Sequence, residues 1–292
     1  MSSDAAGPLL EPALLARLEQ LQLSTNRRLA GQFTGEHRST RYGSSLDFAD
    51  YREYTPGDDF RRIDYNLYAR LDVLLLKLFE AEDDLTLRIL LDTSASMGNG
   101  PKMLQAKRVA AALGFVALTR RDVVTVHTFP LDQAPPRFTG RHASHALFDY
   151  LAGLPSGGET QFAAAARHLL GRKGPPGLTV VISDLLTDEW EASISRLPTR
   201  GDSTVVVHVL DAEDIAPDII GDVEVVDRET GERITVSMAP ETLDAFRQGV
   251  DDWLESVALR CRQSNAGYVR VLDTDDVGDL LLTNWRNEGV LR

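Results

Sequence analysis

The chain has 292 residues, of which 43% are hydrophobic and 26% charged, with a formal net charge of −13. Those proportions describe a globular protein with enough apolar material for a sizeable core. The acidity argues against nucleic acid as the main partner, because phosphate binding needs a basic surface. The single cysteine, Cys261, excludes an intrachain disulfide or a thiolate metal cage, and fits a packed helix thiol in a reducing, cytoplasmic compartment.

Met1 to Pro12 lacks the basic and long apolar regions of a signal peptide. No uncharged apolar run reaches the roughly 20 residues that span a membrane, so direct membrane insertion is not expected. Residues 1–8 read as disordered. Leu9, Leu10, Leu14, Leu15, Leu18 and Leu21 recur at helical spacing and predict an amphipathic helix over 9–23 whose stripe packs on the domain. Residues 24–80 are rich in Arg, Tyr, Asp and Gly, with turn signals at Tyr42-Gly43-Ser44 and Thr55-Pro56-Gly57-Asp58. Between Ser24 and Arg70 there are 8 Arg against 7 Asp plus Glu, so the acidity lies elsewhere. Val73 to Glu80 reads as a strand.

From Leu85 the pattern becomes regular. Strands are predicted at Leu85–Asp92, Val123–Phe129, Leu178–Asp184 and Thr204–Leu210. Helices are predicted at Lys102–Thr119, Ser144–Leu154, Phe162–Leu170 and Glu189–Leu197. Alternating strands and helices imply parallel βαβ units, and unbroken apolar runs imply strands covered on both faces. A hairpin is predicted near 222–238, with Val223 and Val225 facing Ile234, Val236 and Met238. A long helix from Glu241 to Gln263, a strand over 267–272 and a helix over 277–287 complete the chain. The expected fold is α/β, a doubly wound, mostly parallel sheet flanked by helices. Residues 1–80 form an N-terminal extension packed on the core, and residues 81–292 the main domain with its hairpin insertion.

Five oxygen-bearing side chains are placed to meet beyond the carboxyl ends of these strands, where open α/β sheets bind ligands. Asp92, Ser94 and Ser96 lie in Asp92-Thr93-Ser94-Ala95-Ser96, directly after a strand. Thr160 lies in the loop Gly157-Gly158-Glu159-Thr160 before a helix, and Asp184 ends a later strand. Hard oxygen donors suit Mg²⁺, Mn²⁺ or Ca²⁺ rather than zinc or copper. With only two carboxylates, such a cation stays electrophilic and keeps a position open for a partner's carboxylate. The alternative at each position is local: Asp92 and Ser94 as cappers of backbone amides, Thr160 as a helix cap and Asp184 as a turn former.

Asp-x-Ser-x-Ser after a strand, a later Thr in a Gly-rich loop and an Asp ending another strand resemble the metal-ion-dependent adhesion site (MIDAS) of von Willebrand factor A-like (vWA) domains. The resemblance implies that Asp92, Ser94, Ser96, Thr160 and Asp184 are metal ligands, directly or through water, and that an acidic partner residue completes the shell. Where that family often has Asp-Gly, this chain has Asp184-Leu185. Upstream, Gly35-Glu36-His37-Arg38-Ser39, Tyr42 to Phe48, Arg52 to Asp59, Arg61-Arg62-Ile63-Asp64-Tyr65 and Ala69-Arg70 resemble a bacterial family of uncharacterised vWA-like proteins commonly paired with MoxR-type AAA+ ATPases. This implies a metal-dependent protein-interaction module whose partner is such an ATPase or its client, working in chaperone-like remodelling. Within the Arg/Asp-rich segment, Asp58, Asp59, Arg61 and Arg62 are candidates for docking; structural bracing by ion pairs is the alternative.

Other chemistry has less support. No Walker loop, nucleophile elbow or complete dinucleotide loop occurs. His142 and His145 read as a solvated surface pair, and His127 and His208 as packed within strands. The chain is therefore read as a non-enzyme with no catalytic residue. A metal-assisted hydrolase using Asp184 or Glu159 as base, and a structural scaffold with an inactive site, are the competing readings.

Overall fold

A computed structural model describes residues 8–23, 46–55, 58, 60, 63–81, 85–98, 100–130, 134–175, 177–217 and 221–285 of the chain. The segment 1–7, the turn at 42–44 and the docking candidates Asp59, Arg61 and Arg62 lie outside the described residues. The chain divides into two compact units, Met1–Leu29 with Leu85–Arg292, and Ala30–Asp84.

In the larger unit, unbroken apolar runs become strands buried on both faces. β3 (Thr86–Asp92) and β6 (Leu178–Ser183) are buried throughout, and β7 (Ser203–Leu210) is buried beyond its first residue. With β4 (Val123–Phe129), β5 (Arg137–Thr139) and β10 (Ala266–Leu272) they form a sheet of order β10-β7-β6-β3-β4-β5. Pairing is parallel except at the short edge strand β5, which runs antiparallel to β4. The period of two in a strand divides its side chains between two cores. Leu87, Ile89 and Leu91 join one apolar cluster, and Leu90 joins the other; Val180 and Ile182 oppose Val181 in the same way.

Helices cover each face. On the first lie α1 (Pro12–Leu18), α3 (Lys102–Thr119) and α4 (Ser144–Gly153). On the second lie α5 (Phe162–Gly171), α6 (Trp190–Arg196) and α8 (Pro240–Gln263). α3 sits so closely on α4 that a Cβ on Gly114 would collide with the Leu147 side chain. The helix predicted over 9–23 is shorter. It starts with Pro12 in its first turn, whose missing N–H costs nothing there, and Leu21 and Leu23 are buried beyond its end. The final helix changes type along its length, with α9 (Val277–Asp279) passing into a wider π-type turn over Leu280–Asn284; positions 286 and 287 of the predicted span lie outside the described residues.

After β7 a short helix, α7 (Ala212–Ile215), precedes an antiparallel hairpin, β8 (Gly221–Val226) and β9 (Arg233–Met238). Val223 pairs with Val236 and Val225 with Ile234, and most of the hairpin is exposed. In the smaller unit, β1 (Leu46–Glu53) pairs antiparallel with β2 (Leu75–Ala81). Between them lies α2 (Tyr65–Leu71), capped by the Asp64 carboxylate, which accepts from the Asn66 and Leu67 amides. The sequence reading misses β1, because Leu46-Asp-Phe-Ala-Asp-Tyr-Arg-Glu53 alternates too irregularly to separate from loop.

Candidate metal and partner-binding site

The crossovers leave β3 in opposite directions. β4 lies on one side of β3, and β6, which follows β5 in the chain, lies on the other. The crevice beyond the carboxyl ends of β3 and β6 is thus a topological switch point, the place where open α/β sheets bind ligands. Asp92 ends β3, and Asp184 follows β6 directly.

The loop after β3 is wound around Asp92. One carboxylate oxygen accepts from the Ser94 amide at 2.9 Å, and the other accepts from the Ser183 hydroxyl at 2.6 Å. The hydroxyls of Ser94 and Ser96 meet at 3.0 Å. The Gly-rich loop is docked on this one by its backbone: the Ala95 amide donates to the Gly158 carbonyl at 2.9 Å, and the Gly157 amide donates to the Thr93 carbonyl at 2.8 Å. Gly158 has φ +82°, a left-handed conformation that glycine adopts without steric cost. These bonds bring the Thr160 loop against the Asp92 loop.

Asp184 is fully buried and accepts from the Lys102 ammonium at 3.1 Å; the same ammonium donates to Asp214 at 2.8 Å. Lys102 opens α3, where a cation opposes the helix dipole, and it is itself buried. Burial alone would lower its pKa, but Asp184 and Asp214 more than offset that and the net shift is upward. His208 donates from Nε2 to the Asp184 carbonyl at 3.0 Å, and its Nδ1 accepts from the Tyr268 hydroxyl at 3.0 Å. Leu185 has φ +55°. A glycine would adopt that conformation without a Cβ penalty. Leu185 is 1% exposed in the second core, so its burial offsets the strain.

Asp92 is also fully buried, and among the described residues no ammonium or guanidinium is paired with it. Burial, followed by the charge of Asp184, pushes its pKa up to about 7. Burial and Asp184 thus disfavour the ionised form of Asp92, which a cation would favour. The donor set of two carboxylates and three hydroxyls is all oxygen, and it fits Mg²⁺, Mn²⁺ or Ca²⁺. Among the described residues no three His, Cys, Asp or Glu side chains are grouped to hold a metal. A cation here would therefore depend on the hydroxyls of Ser94, Ser96 and Thr160.

Three participants escape sequence reasoning. Ser183 is hidden because alternate positions of a buried strand all look apolar or small. Lys102 is one of three basic residues in the first two turns of its helix, with Lys107 and Arg108, so no local pattern singles it out. Glu229, at the tip of the hairpin, reaches Thr160 across 69 residues of sequence, a contact that no local pattern encodes. Of the docking candidates, Asp58 is described. It accepts from Arg52 at 2.7 Å and from the Thr55 amide and hydroxyl at 2.9 and 2.8 Å, and these bonds hold its pKa down at about 2. Asp58 thus braces its own turn. His142 and His145 are exposed, and His127 and His208 are buried.

Fold and site together define an α/β protein with a central, mostly parallel six-stranded sheet and an oxygen-rich crevice at its switch point. The chain belongs to the family described as protein of unknown function DUF58, whose model matches residues 50–253. It is 27% identical over 287 residues to the uncharacterized protein Rv1480 of Mycobacterium tuberculosis and to the uncharacterized protein Mb1516 of Mycobacterium bovis, covering 94% of this chain and 90% of each relative. Among solved structures it is similar to the conserved hypothetical protein BatB from Bacteroides thetaiotaomicron, at 16% identity and a TM-score of 0.42. It is also similar to an aerotolerance-related membrane protein from Bacteroides fragilis, at 19% identity and a TM-score of 0.43. Each likeness covers 70% of this chain and 98% of the other. Among the described residues no helix is long and apolar enough to cross a membrane.

Proposed function

We propose that this protein is a vWA-like, metal-dependent interaction module. Asp92, Ser94, Ser96, Thr160 and Asp184 would hold one divalent cation, Mg²⁺ or else Mn²⁺ or Ca²⁺. When bound, the cation supplies an electrophilic centre for an acidic residue of a partner protein. The observation that carries this reading is Asp92, a buried carboxylate with no cationic partner among the described residues, set beside converging serine hydroxyls at the switch point. By its resemblance to the MoxR-associated family, the partner is an AAA+ ATPase or that ATPase's client, met in the cytoplasm. A binding role is preferred to hydrolysis because His208, beside Asp184, has both ring nitrogens engaged, leaving no free imidazole base there.

Thermal unfolding of wild type and Asp92→Ala, in EDTA and then with Mg²⁺ or Mn²⁺, tests the site. A cation at about 100 times its dissociation constant adds about 2.7 kcal/mol to the folded state, which raises the midpoint by several degrees. The rise is expected in wild type and absent from Asp92→Ala; equal behaviour of the two sinks the metal reading.

The exposed Phe60, Tyr65, Tyr68 and Leu71 of the smaller unit favour a second reading, a scaffold that docks partners through apolar and aromatic contacts without metal. Partner capture that survives EDTA and Asp92→Ala but fails in Tyr65→Ser/Leu71→Ser would select it.

A further inference from the structure

The hairpin β8–β9 makes one contact that its own stability does not require. Its turn is built tightly. The Asp227 carboxylate accepts from the Glu229 and Thr230 amides at 2.8 and 3.1 Å. The Asp227 amide donates to the Glu232 carbonyl and the Gly231 amide to the Asp227 carbonyl, each at 2.8 Å. Gly231, at φ +76°, occupies the position that such a turn reserves for glycine. The turn thus points Glu229 in one direction. While Asp227, Arg228, Thr230 and Gly231 are exposed, Glu229 is partly covered. Its two carboxylate oxygens are held by one residue, accepting from the Thr160 amide at 2.9 Å and from the Thr160 hydroxyl at 2.5 Å. Thr160 is the candidate ligand whose loop is docked on the Asp92 loop.

We propose that Thr160 is the seat for an acidic residue and that Glu229 is its resident occupant, so that the hairpin closes the site until an acidic segment of a partner displaces it. The inference rests on the interaction-module reading and adds to it the form of the ligand: a Glu presented by a tight turn, of which the hairpin tip is this chain's own copy. A tethered carboxylate competes at high effective concentration. An outside ligand therefore binds with an affinity reduced by the fraction of time the seat stands open. The hairpin suits such a role. It is a two-stranded ribbon, mostly exposed, and isolated ribbons of this kind are marginal in stability, so its displacement exposes little core.

The test uses a fluorescent cyclic peptide reproducing residues 224–234, with full-length wild type, Glu229→Ala, and Glu229→Ala combined with Thr160→Val. Anisotropy is read in Mg²⁺ and in EDTA. Unfolding midpoints in EDTA establish that each variant is folded, and hydrogen exchange of the hairpin amides gives a second readout. The expected result is peptide binding to Glu229→Ala about tenfold or more tighter than to wild type. That gain should vanish in the Thr160→Val double variant and with a peptide carrying Gln at the Glu229 position, and hairpin exchange should speed up in Glu229→Ala. Equal binding to wild type and Glu229→Ala, absence of binding to both, or unchanged hairpin exchange overturns the inference. The two proposals fail separately. Peptide binding to Glu229→Ala that is the same in EDTA keeps the seat and sinks the cation. A Mg²⁺-dependent midpoint rise without any gain in peptide binding keeps the cation and sinks the seat.

Discussion

At the residue scale, Lys102 is the sharpest departure from what the motif alone conveys. A buried ammonium lies against two carboxylates at the start of a helix, so part of the negative charge at the crevice is already matched by the protein. Removing one partner of a buried pair leaves the other uncompensated, at a cost of about 3–5 kcal/mol. Lys102→Met should therefore lower the urea-unfolding free energy by that order in EDTA, and Mg²⁺ should restore more of the loss than it adds to wild type. A loss unaltered by Mg²⁺ would show that Lys102 and the cation do not share Asp184. The residues of the motif were legible because each follows a strand or precedes a helix by a step that sequence marks. Lys102, Ser183 and Glu229 were not, because their roles arise from juxtaposition across 82, 91 and 69 residues.

At the scale of elements, the two ends of the sheet divide the work. Before β6 and β7, far from the crevice, Asp202 is buried and gathers three hydrogen-bond donors and one further ion pair. These are Arg88 at 3.1 Å, the Gly177 amide and the Thr179 hydroxyl at 2.8 Å each, and Arg200 as an ion pair at 3.2 Å. Arg88 also donates to the Pro175 carbonyl at 2.5 Å. This network ties β3, the loop before β6 and the loop before β7 into one plate. Asp202→Asn leaves Arg88 and Arg200 facing each other without a counter-charge. The expected cost is again about 3–5 kcal/mol, seen in denaturant melts, while the midpoint rise on adding Mg²⁺ stays as in wild type. Loss of that rise would mean the two ends of the sheet are coupled. The strands and long helices were legible because their apolar runs are long and cleanly bounded. β5 is three residues long with a single half-buried position, too little pattern to read, and α2 rests on an Asp64 cap rather than on an apolar stripe.

For the whole molecule, pH acts through buried groups of opposite sign, the imidazoles of His127 and His208, whose pKa values are lowered, and the Asp92 carboxyl, whose pKa is raised. Burial, followed by the charges of Arg172, His168, Arg88 and Arg200, lowers the His127 pKa to about 4. The unfolded chain takes up that proton near pH 6.5, and the folded chain takes it up only near 4. Between those values the unfolded state binds more protons, so stability is complete above about 6.5 and is lost as pH falls toward 4. The full shift corresponds to about 3 kcal/mol. The difference in unfolding free energy between wild type and His127→Phe should fall through that window as pH goes from 7 to 4, while Asp92, whose pKa is raised to about 7, contributes with the opposite sign in both proteins. A slope unchanged by the substitution would assign the acid sensitivity elsewhere.

The placement of α1 has a consequence for how the protein is made. Leu10, Leu18, Leu21 and Leu23 are buried in the same cluster as α3 and the closing turn with Leu280, Leu281 and Trp285. Arg17 lies 4.0 Å from Asp279. On a ribosome the leucine stripe emerges before α3 exists, and Leu280, Leu281 and Trp285 follow only after every strand of the sheet has been made. During that interval the stripe is open to any apolar surface, including that of another nascent chain. Contacts joining such distant stretches also slow the final closure. Yield at high expression is therefore expected to depend on whatever shields this short leucine segment before the rest of its cluster has been translated.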